Sequence, residues 1–172
     1  MKLRELKLKD IQYILEWMKD REISSQFKTD FSKYSSIDVQ NFIIESGKFT
    51  SSRHFAIVND SDEYLGTISL KNIDTINMKA EYAIVLRKFA QGTNVAYEAT
   101  ETILNIAFND LKLHKVYLNV LTQNIRANRF YLKFGFKLEG TFVDDIKIEN
   151  EFYSLNWYSI LKESYESLDQ SN

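Results

Sequence analysis

The amino-acid sequence predicts an α+β, or mixed α/β, fold: a mostly antiparallel central sheet flanked by about four helices. Three observations lead there. Short runs alternate apolar with polar residues, as half-buried strands do. Longer segments repeat apolar residues at spacings of three and four, as amphipathic helices do. In chain order these read strand, two helices, three strands, helix, strand, helix, two strands. No linker, repeat or low-complexity tract divides them, so a single domain over residues 1–172 is expected.

Leu3, Leu6 and Leu8 make residues 1–8 a first strand with a slip in its alternation. Asp10 is placed to cap a helix carrying Ile11, Ile14, Leu15 and Met18 on one face. The polar and aromatic segment 20–34 reads as an irregular loop. Ser35 or Ser36 then caps a second helix with Val39, Phe42 and Ile43, and Gly47 is placed to end it. Residues 54–58 and 64–72 are strands joined by the polar turn Asn59-Asp60-Ser61-Asp62-Glu63, a hairpin signal. A third strand, 80–86, follows another polar turn. From Val95 the period changes, and Ala96, Ala99, Ile103, Ile106 and Ala107 share a helical face. Val116, Leu118 and Val120 alternate in the next strand. Ala127, Phe130, Tyr131 and Phe134 face inward from a helix that Gly135 closes. Two alternating runs, 136–148 and 152–161, finish the chain.

Composition excludes several functions. With 172 residues, the domain buries roughly 70% of the surface of its unfolded chain and needs no staple. It has no cysteine, which removes disulfides, thiolate-metal sites and cysteine nucleophiles. Its 22 basic and 24 acidic residues leave a net charge of −2, so there is no global field for nucleic acid or an anionic membrane. The amino terminus is charged throughout and no apolar run nears the ~18 residues of a membrane span, so a cytoplasmic protein is expected. Proline is absent, and with five glycines asparagine is expected at several left-handed positions. His54 and His114 have no metal-ligand spacing around them, and no metal is expected. Asp144 and Asp145 are strand neighbours that would face opposite ways. No nucleophile elbow is present.

Two junctions carry chemistry. Strand 80–86 runs through Arg87-Lys88-Phe89-Ala90 into Gln91-Gly92-Thr93-Asn94-Val95-Ala96, where a helix begins. Successive N–H groups in such a loop cradle an anion, a diphosphate for example, favoured by the helix dipole. A plain strand-to-helix turn needs the same glycine. Downstream, the strand from Val116 is followed by Asn124-Ile125-Arg126-Ala127-Asn128-Arg129-Phe130-Tyr131-Leu132-Lys133-Phe134-Gly135-Phe136.

The pattern N-x-x-A-x-x-x-Y-x-x-x-G-F, about thirty residues after a Q-x-x-G-x-A-like loop, resembles the GCN5-related N-acetyltransferases, the GNAT superfamily. Gln91 and Ala96 match the loop pattern, while Asn94 stands where the central glycine is usual; asparagine is the best non-glycine substitute at φ > 0. The opening Leu3-Arg4-Glu5-Leu6 with Asp10 and Glu16-Trp17 is similar to the subgroup of ribosomal-protein N-terminal and spermidine N-acetyltransferases. So is Leu138-Glu139-Gly140-Thr141 through Tyr153 to Leu161.

The resemblance implies a sheet splayed between two strands, with acetyl-CoA as co-substrate in the split. Backbone groups of Ile84 and Leu86 would pair with the pantetheine arm, and a strand bulge would offer the Ile84 N–H to the acetyl carbonyl. The N–H groups of Gln91, Gly92, Thr93, Asn94, Val95 and Ala96 would hold the diphosphate. Asn124 would touch the pantetheine side, and Lys133 a nucleotide phosphate. An amine attacking a thioester needs a base and benefits from an acid at sulfur. Tyr131 is the implied acid, unless it only packs on its helix stripe, and Glu81 the implied base, unless it forms a surface ion pair. Without cysteine, direct transfer in a ternary complex is expected.

Trp17, Glu22, Asp30 and Tyr153 are candidates for an aromatic-acidic acceptor rim, together with Asp20, Phe27, Phe31, Asp144, Asp145 and Glu149. Each has the ordinary alternative of a solvated charge or a core aromatic. The resemblance implies as acceptor a small-molecule amine such as a polyamine, an amino-sugar nucleotide, or a protein N-terminus, with all three open. A sugar nucleotide would need a basic group, for which Lys28, Lys33 and Arg53 are nearby. A homodimer through the last strands, using Phe152, Tyr153, Trp157 and Tyr158, fits the same resemblance. A non-catalytic acyl-CoA-binding or scaffold protein on this fold is the alternative function.

Overall fold

A computed structural model describes residues 1–48 and 51–169. Among these residues, seven strands form one sheet in the order β1-β2-β3-β4-β5-β7-β6. They are β1 (Lys2–Glu5), β2 (Arg53–Val58), β3 (Tyr64–Asp74), β4 (Lys79–Leu86), β5 (Lys115–Leu121), β6 (Lys137–Ile148) and β7 (Glu151–Leu161). Every pairing is antiparallel except β4 with β5. That one parallel pair is short: Lys79 meets Lys115, Ala80 meets Val116, Glu81 meets Tyr117, and there it stops. Beyond Glu81 the two strands part, so one edge of β4 runs unpaired to Leu86. The splayed sheet is confirmed.

Among the described residues, six α-helices flank the sheet: α1 (Ile11–Lys19), α2 (Arg21–Ser24), α3 (Ser36–Ser46), α4 (Val95–Asn105), α5 (Ile125–Phe134) and α6 (Lys162–Asp169). Two more than expected are present. Segment 20–34, expected as loop, holds α2, whose start Asp20 caps by accepting from the Glu22 N–H at 2.9 Å. A single turn is too short to show a period, and α6 is a polar continuation of β7. Ser35 caps α3 in a reciprocal arrangement with Asp38, and Gly135 closes α5 at φ 116°. Asp10 behaves differently from expectation. It does not cap α1; its carboxylate accepts from the Lys7 N–H and takes a bidentate bond from Arg4 at 2.8 and 2.9 Å.

The two sheet faces hold separate cores. α4 and α5 cover Ile68, Leu70, Tyr82, Val116 and Leu118, while α1 and α3 cover Ala56, Val58 and Tyr64. Each fully buried aliphatic chain contributes about 1.5–3 kcal/mol. Because side chains alternate along a strand, Tyr82 and Ile84 of β4 belong to the α4–α5 face and Val85 to the α1–α3 face. Glu81 shares the latter. At the far end of β4, Gly66 lies opposite Leu86, and a Cβ there would sit 2.2 Å from the Val85 carbonyl oxygen. Only glycine lets β3 approach this closely.

Left-handed backbone is not mainly asparagine's. Asp62, Asn72, Met78, Lys112, Asp144 and Glu149 take positive φ among the non-glycine residues, so turn position decides rather than residue type. Asp144 sits at an irregularity of β6, between the Phe142–Leu155 and Ile146–Tyr153 pairs, and not on a regular strand.

Candidate active site

The parting of β4 and β5 opens a cleft of about 920 Å³, at the upper end of the ~300–1,000 Å³ usual for ligand sites. It brings together Glu81, Ile84, Leu86, Gln91, Gly92, Thr93, Asn94, Ala96, Asn124, Tyr131 and Lys133, with Glu22 at its margin. Val95 is not in the lining; it packs on the α4 core.

The loop before α4 presents donors. The N–H groups of Gly92, Thr93 and Asn94 have no acceptor among the described residues, while the Thr93 hydroxyl donates to the Ala90 carbonyl and accepts from the Val95 N–H. Gly92, at φ 80°, is the left-handed residue of the loop. Asn94 is not: it is right-handed at φ −74° and its amide donates to Glu98 at 2.9 Å, along the helix and away from the cradle. The expectation of asparagine at positive φ is thus corrected. Gln91 ties the loop together, donating to the Leu86 carbonyl and accepting from Arg126 at 2.7 Å. Arg126, from the first turn of α5, was not singled out from sequence; nothing in its spacing shows that α5 lies across the cleft.

Ile84 also departs from expectation. The β3–β4 ladder is regular from Gly66–Leu86 to Lys71–Glu81, so no bulge turns the Ile84 N–H. The exposed edge arises because β5 leaves. Asn124 caps α5, its side-chain oxygen accepting from the Ala127 N–H at 3.1 Å.

Tyr131 is 8% exposed and borders the cleft from the α5 side, edge-on to Tyr82. Burial pushes its phenol well above the ordinary tyrosine value, and its hydroxyl has no hydrogen-bond partner among the described residues. Glu81 stands at the apex of the split on the opposite sheet face. It accepts from Lys71 at 2.8 Å and from Asn72 at 2.9 Å. The two implied reacting groups therefore flank the opening, one on each side of the sheet.

The acceptor candidates are scattered. Glu22 borders the cleft, ion-paired with Lys88 at 2.6 Å. Trp17 is 6% exposed and belongs to the core, its indole donating to the Tyr64 hydroxyl at 3.3 Å and its rings packed on Phe27 and Phe31. Asp30 is exposed outside the lining, and Tyr153 donates to Glu151 on the β7 end of the last hairpin. Of the basic candidates only Lys28 reaches the cleft; Lys33 and Arg53 do not. Among the described residues, no group of three His, Asp or Glu can hold a metal ion, and no helix is long and apolar enough to cross a membrane.

A donor-lined loop, an unpaired strand edge and a buried phenol meet at one split, a site for an extended anionic ligand. The family profile described as "Acetyltransferase (GNAT) domain" matches residues 1–137, and the chain belongs to that family. It is an acetyl-CoA-dependent N-acetyltransferase that acetylates an amine. The chain is 27% identical over 165 residues to a spermidine N(1)-acetyltransferase of Vibrio cholerae, covering 95% of this chain and 94% of that protein. It is 30% identical over 101 residues to a putative ribosomal N-acetyltransferase of Bacillus subtilis, covering 59% and 55%. A crystal structure of the Vibrio cholerae spermidine N-acetyltransferase in complex with CoA and spermine superposes with a TM-score of 0.88 at 25% identity, over 96% of this chain and 97% of that one.

Proposed function

We propose that this enzyme acetylates the primary amine of a small molecule by direct attack within a ternary complex held in the β4–β5 split. The observation that carries this is the placement of Tyr131 and Glu81 on opposite faces of the opening. The relatives named as spermidine acetyltransferases support a small-molecule amine over a protein N-terminus.

Acetyl-CoA supplies the acetyl group as an activated thioester. Ile84 and Leu86 offer it the unpaired backbone edge of β4, and the N–H groups of Gly92, Thr93 and Asn94 face its diphosphate, with Arg126 and Lys133 adding charge. Asn124 holds the start of α5 against the pantetheine side. Tyr131, kept protonated by burial, gives its hydroxyl proton to the departing sulfur. Glu81 takes a proton from the incoming ammonium, directly or through water. An incoming ammonium replaces Lys71 as its ion-pair partner.

Initial rates of thiol release against both substrates test the direct route: intersecting double-reciprocal lines are expected, and parallel lines would overturn it. A second copy completes the particle in this proposal. β6 is an edge strand of the sheet and exposes Leu138, Phe142 and Val143 beside Phe152, and an unpaired apolar edge of this length invites a partner. Light scattering is expected to give twice the chain mass at micromolar concentration; the chain mass itself would refute it.

A further inference from the structure

Charge along the cleft separates acceptors. Its lining includes five cationic side chains, Lys28, Lys71, Lys88, Arg126 and Lys133, against two carboxylates, Glu22 and Glu81. Both carboxylates are already engaged, Glu22 by Lys88 and Glu81 by Lys71. Arg126 lies at the phosphate loop, bound to Gln91, and Lys133 projects from the same helix α5. The acceptor side differs. Lys71 and Glu81 face the α1–α3 side of the sheet, which α2 and the residues after it cover through Ile23 and Phe27. Lys28 follows on that segment, with no ion-pair partner among the described residues.

A polyamine carries positive charge at both ends. One ammonium can exchange with Lys71 at Glu81, but each further ammonium must displace Lys88 from Glu22 or meet Lys28, in a lining with five cations against two carboxylates. Like charges at close range disfavour binding, and repulsion of the wrong ligand is a common source of specificity. An amine that also bears an anion matches the wall on both counts: its ammonium meets Glu81 while its anion meets Lys28 and the displaced Lys71. Phe27 adds an apolar surface beside Lys28.

We propose that the acceptor of this enzyme is a primary amine carrying its own anionic group, a phosphate or a carboxylate, seated by Lys28 and Lys71. This rests on the acetyltransferase reading of the cleft. The nitrogen forms a C–N bond to the acetyl carbon as the C–S bond breaks. The ammonium gives one proton to Glu81 before attack; its second proton leaves the nitrogen as the C–S bond breaks and, through solvent, replaces the one that Tyr131 gives to the thiolate.

The test is kcat/KM by thiol release, on the full chain with acetyl-CoA, for four kinds of amine. They are spermidine, glucosamine, its phosphate-bearing forms (glucosamine 6-phosphate and a uridine-diphosphate amino sugar), and glycine beside its methyl ester. The phosphate and carboxylate arms distinguish the two anion sources. At least one anionic amine is expected to exceed its uncharged counterpart tenfold or more, and Lys28→Gln to shrink that ratio by about tenfold, with acetyl-CoA affinity unchanged. Raising salt should shrink it too. Preference for spermidine, a ratio indifferent to Lys28→Gln, or binding of acetyl-CoA without release from any of these amines would overturn the proposal. Folded protein that fails to bind acetyl-CoA at all would sink the acetyltransferase reading itself, which calorimetry reports separately.

Discussion

Gly66→Ala tests how the split is held open. Gly66 pairs with Leu86 at the tip of β4, and an added Cβ would stand 2.2 Å from the Val85 carbonyl oxygen, 2.8 Å from Leu86 Cδ2 and 3.0 Å from Leu86 Cα. Its backbone φ is not left-handed, so the obstruction is purely steric. Two of the three obstacles are backbone and cannot rotate away. Restoring ordinary contact requires β4 to withdraw by roughly 1 Å into the cleft, and overpacking of that kind costs about 1–3 kcal/mol. For a domain of this size that lowers Tm by roughly 2–12 °C. The same displacement moves the strand edge offered to acetyl-CoA, and misplacement by ~1 Å can cost up to about a hundredfold in rate. Thermal unfolding and kcat/KM for acetyl-CoA together read both effects. A Tm within 1 °C or so of wild type (below the smallest shift expected) with an unchanged kcat/KM would refute the claim that this close approach sets the split.

Further expectations follow from the same geometry. Tyr131→Phe should lower kcat by about 10²–10⁴-fold with acetyl-CoA affinity unaltered, and burial of the phenol predicts no alkaline fall in wild-type kcat near pH 10; an unchanged kcat would reduce Tyr131 to packing. Glu81→Gln should slow transfer in a way that high pH partly restores, because more amine is then already deprotonated, and no loss at any pH would remove it as the base. Lys9 and Arg4 hold the Asp62 carboxylate well below its ordinary value. The unfolded chain therefore binds that proton first, so this stability is present above about pH 4 and lost as pH falls further. Melting curves from pH 3 to 7 should flatten at their acid end in Asp62→Asn.

The strands were legible because they alternate and the sheet is half-buried. α5 was legible because Ala127, Phe130, Tyr131 and Phe134 form an apolar stripe that Gly135 closes, and the structure puts Gly135 at φ 116°; the cap at Asn124 was not read from the sequence. What stayed hidden depends on register or on competition between neighbours. Both Gly92 and Asn94 tolerate positive φ in sequence terms. Gly92 takes it because it has no Cβ, which frees Asn94 to begin the helix and bind Glu98. The Lys71–Glu81 pair exists only once β3 and β4 are in register, and Arg126 joins the site only because α5 starts across the split. Trp17 shows the opposite error: an aromatic at a loop edge suggests a binding rim, but the core of α1 and α3 absorbs it.

Calorimetric titration with acetyl-CoA, beside CoA and ATP, tests the central claim most directly. One site per chain with micromolar affinity for both acetyl-CoA and CoA is expected, with ATP far weaker because it lacks the arm that the β4 edge receives. Absence of heat from folded protein would contradict the assignment of the β4–β5 split as the acetyl-CoA site.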